Sequence, residues 1–240
     1  MGTIRDLEWE GAFNARDLGG LLAPGGRRIR HGAVVRSEAP DRFTAAGWVA
    51  LRSHGIRTIL DLREPDERRV PDAAGDLDVV HVPLDDLGDT AFWADWGDGV
   101  DCTPLYYRDF VERKPDRCAA AVLVVARARP GGVLVHCGAG RDRTGLVTML
   151  LLRLVGVSDD EIVSDYVRSY ARMAPLWAAL GERDHAPLIR KLLADRGTTP
   201  EAAMRAALDG LDAVAVLRAG GLTDADLEML RNRMLERPAA

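Results

Sequence analysis

The sequence predicts an α/β domain: a central, mostly parallel sheet flanked by helices, with an additional helical segment towards the C-terminus. Three observations predict it. Apolar runs of strand length fall in the first 136 residues, whereas helical periodicity dominates after residue 144. Val133–His136 is a short apolar run of the kind a parallel strand shows when both its faces are covered. That run passes through a Gly-rich turn into Thr144–Val155, which is apolar almost all round and therefore reads as a buried helix. A length of 240 residues suits a single domain over 1–240.

The elements come in this order along the chain. Arg28–Arg36 reads as a strand, Thr44–His54 as a short helix, and Arg57–Leu62 as a strand centred on Ile59 and Leu60. Val79–Pro83 is a further strand. Asp85–Pro104 reads as a long loop dense in Asp and Gly, with Phe92, Trp93 and Trp96 either anchored in the core, the reading placed first, or closing over a ligand. Pro115–Arg129 has helical spacing through Cys118, Val122 and Val125, and Gly131-Gly132 breaks it. Beyond Val155, Ser158 with Glu161 forms a capping-box pattern ahead of Ile162, Val163, Tyr166, Val167 and Tyr170. Pro175 and Pro187 are expected to divide the stretch beyond Tyr170 into short helices. Thr199-Pro200 opens another helix, and Thr223 with Asp226 opens a last one carrying Leu227, Leu230 and Met234.

Net charge is −5, so no global basic field points to nucleic acid or to an anionic membrane. Any anion site has to be local. The three cysteines, Cys102, Cys118 and Cys137, show neither metal-ligand spacing nor a disulfide framework, and Cys102 and Cys118 read as inert. His31, His54, His81 and His185 likewise lack ligand spacing, so neither metal nor cofactor is expected. The N-terminus is too polar for a signal peptide, and the apolar stretch Leu146–Val155 is too short to span a bilayer. The expectation is a soluble cytoplasmic protein without stable membrane insertion, with leaderless export and the oligomeric state left open.

Chemistry concentrates in His136-Cys137-Gly138-Ala139-Gly140-Arg141-Asp142-Arg143-Thr144-Gly145. A helix N-terminus offers unpaired N–H groups and a positive dipole end, which together bind phosphate. Successive N–H groups in the turn form an anion nest, with Gly138 and Gly140 expected to supply tight curvature and positive φ, and Gly145 close helix packing. Cys137 stands at the base of this loop as the candidate nucleophile, because a helix N-terminus and a nearby cation both favour a thiolate. Arg143 comes after five intervening residues, enough for its guanidinium to return and grip two phosphoryl oxygens. Thr144 can give its hydroxyl to the sulfur, and His136 is expected to orient the loop. Gly138, Ala139, Gly140, Arg141 and Thr144 are the expected phosphate-binding positions.

Cys-x5-Arg followed by Thr resembles the signature of the protein tyrosine phosphatase superfamily. The fuller run is similar to His-Cys-x-Ala-Gly-Lys-Asp-Arg-Thr-Gly of a bacterial and fungal subgroup, which includes secreted mycobacterial and listerial phosphatases acting on phosphotyrosine and on phosphoinositides. Asn14-Ala15-Arg16-Asp17-Leu18-Gly19-Gly20, Val35-Arg36-Ser37, Asp61-Leu62-Arg63 with Glu67, and Gly221-Leu222-Thr223-Asp224 through Leu230-Arg231 resemble further blocks of that subgroup. The resemblance implies a phosphatase working through a phosphocysteine, with Asp142 as general acid and a helical lid, placed here at 158–209. Arg141 stands where the subgroup usually has Lys. The Trp-Pro-Asp loop of many tyrosine phosphatases is absent, and Trp93-Ala94-Asp95-Trp96 is not one.

Asp85 is the rival acid, because it comes after a strand where dual-specificity phosphatases carry theirs. Arg16 and Asp17 either tie a turn or serve the pocket. Asp61 either pairs with Arg63 or orients Arg141. A phosphotyrosine protein is the first substrate expected, with phosphoserine and phosphothreonine proteins beside it. A phosphoinositide or inositol phosphate is the alternative. A non-catalytic phosphate-binding module fits the complete set of Cys137, Asp142, Arg143 and Thr144 poorly.

Overall fold

The computed structural model describes residues 5–69, 72–97 and 99–237. In chain order its elements are β1 (Arg16–Asp17), β2 (Val34–Ser37), α1 (Ala45–Ser53), β3 (Ile56–Asp61), β4 (Asp78–His81) and α2 (Thr90–Trp96). Next come α3 (Tyr107–Arg113), α4 (Pro115–Arg127), β5 (Gly132–His136), α5 (Asp142–Leu154), α6 (Asp159–Leu180), α7 (Ala186–Asp195), α8 (Pro200–Leu208), α9 (Ala213–Ala219) and α10 (Asp224–Met234).

The sheet has the order β1-β2-β5-β3-β4. Only β1 is antiparallel; the other pairings are parallel. β5 is central and every one of its residues is buried. Alternate side chains of β5 serve opposite faces, as a strand period of two requires. Val133 and Val135 join the larger core with α4, α5, α9 and α10, whereas Leu134 joins Trp9, Trp48, Leu51 and Ile59 on the α1 side. Ser37 and Asp61 both stand level with His136 in the ladder. The chain therefore leaves β2, β3 and β5 at one edge, and Glu38, Leu62 and Cys137 emerge together.

The structure departs from the sequence expectations in several places. The strand expected over Arg28–Arg36 is confined to Val34–Ser37, because Gly32 takes a left-handed φ of 71° and turns the chain just before it. The loop expected over Asp85–Pro104 contains α2, started by the Asp89 side chain accepting from Phe92 N. Phe92 is fully buried there, while Trp93 is only partly so. Pro175 does not end α6, which runs 22 residues through it. Pro187 lies in the first turn of α7, where its missing N–H is no loss. Among the described residues no helix is long and apolar enough to cross a membrane.

Candidate active site

Cys137 directly succeeds the central strand, is nearly buried, and precedes α5 by a four-residue turn. Every carbonyl of the turn is engaged. Cys137 O lies 3.1 Å from His136 Nδ1, and Gly138 O accepts from Ala39 N at 2.9 Å. Asn14 Nδ2 donates to Ala139 O and Gly140 O, and Arg36 Nη2 donates to Gly140 O and Arg141 O. In a planar trans peptide the N–H of the next residue points opposite the carbonyl. Tying the carbonyls down therefore turns the N–H groups of Gly138 through Asp142 the other way, as an anion nest requires.

Glycine is needed at Gly140, where φ is 70° and a Cβ would lie 2.3 Å from Ser37 C and O. Gly138 corrects the expectation. It has no left-handed φ, and a Cβ there would meet nothing nearer than 3.9 Å. At Gly145 a Cβ would fall 2.6 Å from Tyr107 Oη and 3.0 Å from the Tyr166 ring, so the absence of a side chain lets α5 pack against both tyrosines.

The cleft above the turn, about 440 Å³, is lined by Cys137, Gly138, Ala139, Arg141, Asp142 and Arg143. Glu38, Glu67, Asp85 and Asp101 add carboxyls, and Trp93, Leu176 and Trp177 add an apolar wall. Arg143 reaches across from α5 and is bonded through both terminal nitrogens to Glu67, at 2.7 Å for Nη2 to Oε1, with Nη1 3.3 Å from Asp85 Oδ2. Its pairing with Glu67 and the nearby Cys137 and Asp85 hold its pKa far above the ordinary arginine value despite burial. Glu67 is correspondingly depressed, its bond from Arg143 outweighing partial burial.

Asp85 is the opposite case. Burial raises its pKa to about 7, and the neighbouring carboxylates Glu64, Glu67 and Asp101 add to the rise while Arg143 opposes it. Its segment is anchored: Asp85 N donates to Glu64 Oε1 at 3.1 Å, and Trp93 Nε1 donates to Asp85 O at 3.1 Å. Asp142, in the first turn of α5, accepts from Arg141 Nε at 3.1 Å and from Tyr166 Oη at 3.0 Å. Tyr107 Oη donates to its main-chain oxygen at 2.6 Å.

The remaining expected positions divide. Thr144 is fully buried, and its hydroxyl has no hydrogen-bond partner among the described residues. Arg141 turns to Asp142 and to Cys102 O, with Tyr170 beneath its guanidinium at 5.1 Å. Asp61 does not reach Arg141. It binds Arg63 through Nε at 3.0 Å and Nη2 at 2.9 Å, and stands 3.8 Å from His136 Nε2. Burial lowers the His136 pKa, which favours the neutral imidazole. Asp17 faces away from the cleft, accepting from Gly19 N and Gly32 N beside His54. Arg16 serves the loop through Asn14, donating to Asn14 Oδ1 at 2.6 Å. Glu67 and Asp165 acquire roles that the sequence alone did not suggest. Polar residues at helical spacing on an otherwise apolar face, Asp165 and Ser169, were the available signal.

A mostly parallel α/β sheet with a cysteine at the carboxyl end of its central strand, a tied-down loop and a returning arginine is the arrangement that a cysteine-based phosphoryl site requires. The chain belongs to the tyrosine phosphatase family, whose sequence model matches residues 7–236. It is 36% identical over 180 residues to a Cupriavidus necator protein named as a putative tyrosine-protein phosphatase, a match covering 70% of this chain and 64% of that one. It is 35% identical over 212 residues to the triple specificity protein phosphatase PtpB of Mycobacterium tuberculosis, covering 75% and 74% of the two chains. The crystal structure of P. aeruginosa TpbA aligns with 85% of this chain and 97% of its own at 18% identity, with a TM-score of 0.40, too loose a superposition to bear weight.

Proposed function

We propose that the protein hydrolyses phosphomonoesters, phosphotyrosine in the first place, through a phosphocysteine at Cys137. The observation that carries this reading is the pairing of Cys137 at the base of the loop with the Arg143 guanidinium returning over the same cleft. Sγ attacks phosphorus, the P–O ester bond breaks, and the leaving oxygen takes a proton from a carboxylic acid. Water then attacks the phosphocysteine, gives a proton back to that carboxylate, and releases phosphate and the thiolate. The loop N–H groups and Arg143 bind the three equatorial oxygens as charge spreads over them. The Thr144 hydroxyl, without a hydrogen-bond partner among the described residues, is available to the departing sulfur.

For the acid, burial and a pKa near 7 support Asp85, which can hold a proton at neutral pH. Asp142 is the alternative carried by the motif; its carboxylate is already an acceptor for Arg141 and Tyr166. The wall of Trp93, Leu176 and Trp177 and the several carboxyls of the cleft favour an aryl phosphate over a polyphosphorylated inositol. We place the protein in the cytoplasm, with leaderless export as the alternative. The segment 158–209 contributes the cover of the site through the distal end of α6. A rapid-quench experiment with a phosphotyrosine peptide tests the chemistry. Phosphate trapped on Cys137 is expected, and label on another residue overturns the assignment. A panel comparing that peptide with phosphoserine, phosphothreonine and phosphoinositide substrates tests the substrate class.

A further inference from the structure

Behind the loop, on the side away from the cleft, lies a buried charge cluster. Asp165 of α6 is 1% exposed, Arg16 0% and Arg36 1%, so water screens none of the three. One carboxylate holds three guanidiniums. Asp165 Oδ2 accepts from Arg36 Nη1 at 2.7 Å, and Oδ1 from Arg16 Nε at 3.1 Å and Arg5 Nη1 at 2.9 Å. The main-chain oxygen of Asp165 accepts from Arg16 Nη2 at 2.7 Å. Burying two arginines beside one another is costly in a medium of low dielectric, and Asp165 is the carboxylate that pairs with both among the described residues.

What the arginines do with their remaining N–H groups gives the cluster its meaning. Arg36 Nη2 holds Gly140 O at 2.9 Å and Arg141 O at 3.3 Å. Arg16 Nη1 holds Asn14 Oδ1, and the same amide's Nδ2 holds Ala139 O and Gly140 O. Asn14 Oδ1 accepting from Arg16 also fixes which end of the amide faces the loop. A second residue of α6, Ser169, accepts from Arg16 Nη2 at 2.9 Å. Three consecutive loop carbonyls are thus tied, through two arginines and one amide, to a single carboxylate on a helix far along the chain.

We infer that Asp165 is a positioning residue for the phosphate loop: it fixes Arg16 and Arg36, and through them and Asn14 it keeps the loop N–H groups aimed into the cleft. The inference rests on the phosphatase reading only in its kinetic consequences. The first half of α6 is on this account a brace, not a moving part. Tyr166 and Tyr170 on the same helix touch Asp142 and Arg141 from the front while Asp165 and Ser169 hold the loop from behind.

Asp165→Asn tests it. Residues that orient metal ligands through hydrogen bonds change activity by about 10–100-fold when replaced, and the same range is expected here by analogy. The expected result is a kcat lower by about that factor with KM little changed, and the same loss for phenyl and nitrophenyl phosphate, since no proton donor is touched. Vanadate, which mimics the five-coordinate transition state, should lose affinity by a similar factor, and inorganic phosphate by much less. A uniform structural weakening moves both anions alike. A folded Asp165→Asn protein with wild-type kcat and vanadate affinity overturns the inference, as does equal loss for the two anions. If Asp165→Asn does not fold, Asn14→Ala decides in the same assays, because it removes the amide through which Arg16 reaches Ala139 O and Gly140 O. If the wild type turns over no phosphomonoester, the phosphatase reading falls, while vanadate titration of the same variants still decides the role of Asp165.

Discussion

Both terminal nitrogens of Arg143 are bonded to the carboxylate of Glu67, which occupies the fork that a phosphoryl group needs. An incoming dianion has to displace it. Glu67→Gln removes both the competing charge and its repulsion of phosphate. The Ki of inorganic phosphate should fall several-fold, and Asp85, relieved of one carboxylate, should titrate lower. Inhibition kinetics over a pH series check both; an unchanged Ki would mean that the pair opens freely.

The two candidate acids separate by leaving group. Asp85→Asn should slow phenyl phosphate far more than nitrophenyl phosphate, whose leaving group scarcely needs a proton, while Asp142→Asn should slow the two esters about equally. The reverse pattern assigns the acid to Asp142.

Asp85 also makes stability depend on pH. Its folded pKa, about 7, lies above the ordinary carboxylate value of 3.8. The protonated form is the one the fold tolerates, so this contribution is fully present below pH 3.8 and is lost as pH rises towards 7. Asp85→Asn, neutral throughout, should therefore raise Tm relative to wild type at pH 8 and leave the difference small at pH 4. Thermal melts at the two pH values decide, and a larger gain at pH 4 would contradict the burial argument.

Arg143→Lys keeps the charge and loses the fork. The expected loss is about 10²–10³ in kcat, by analogy with single oxyanion donors. Cys137→Ser should abolish turnover and still bind vanadate, since a hydroxyl without an adjacent base is a poor nucleophile. Steady-state assays and anion titration measure these together.

The glycines of the loop should behave unequally. Gly138→Ala is expected to fold with near wild-type Tm, because its Cβ would have 3.9 Å of room. Gly140→Ala combines a left-handed φ with a 2.3 Å approach to the Ser37 backbone, so a large fall in Tm or an inactive loop is expected. Melting curves for the pair are sufficient.

The strand, turn and helix around Cys137 were legible in the residues alone, because that arrangement is local. An apolar run, a Gly-rich turn and an apolar helix start within a few residues of each other, and the arginine follows the cysteine over the same span, whereas the aim of the loop N–H groups depends on Asn14, Arg36 and Ala39 from elsewhere in the chain. The parallel sheet was legible for a related reason: Ile59, Leu60, Val133, Leu134 and Val135 form runs that only two covered faces explain. Boundaries were less legible where backbone torsion overrode composition, as at Gly32 before β2, or where a side-chain cap started a helix in a polar stretch, as at Asp89 before α2. Tertiary packing alone settles which distant groups face the loop. Glu67 lies 76 residues from the Arg143 it binds, and Asp165 lies 129 residues from Arg36. No periodicity records such a pairing, because a carboxylate on a helix has the same composition signature whether it meets water or a buried guanidinium. The raised pKa of Asp85 was equally beyond the sequence, since it comes from burial and from three carboxylates that the fold alone brings together.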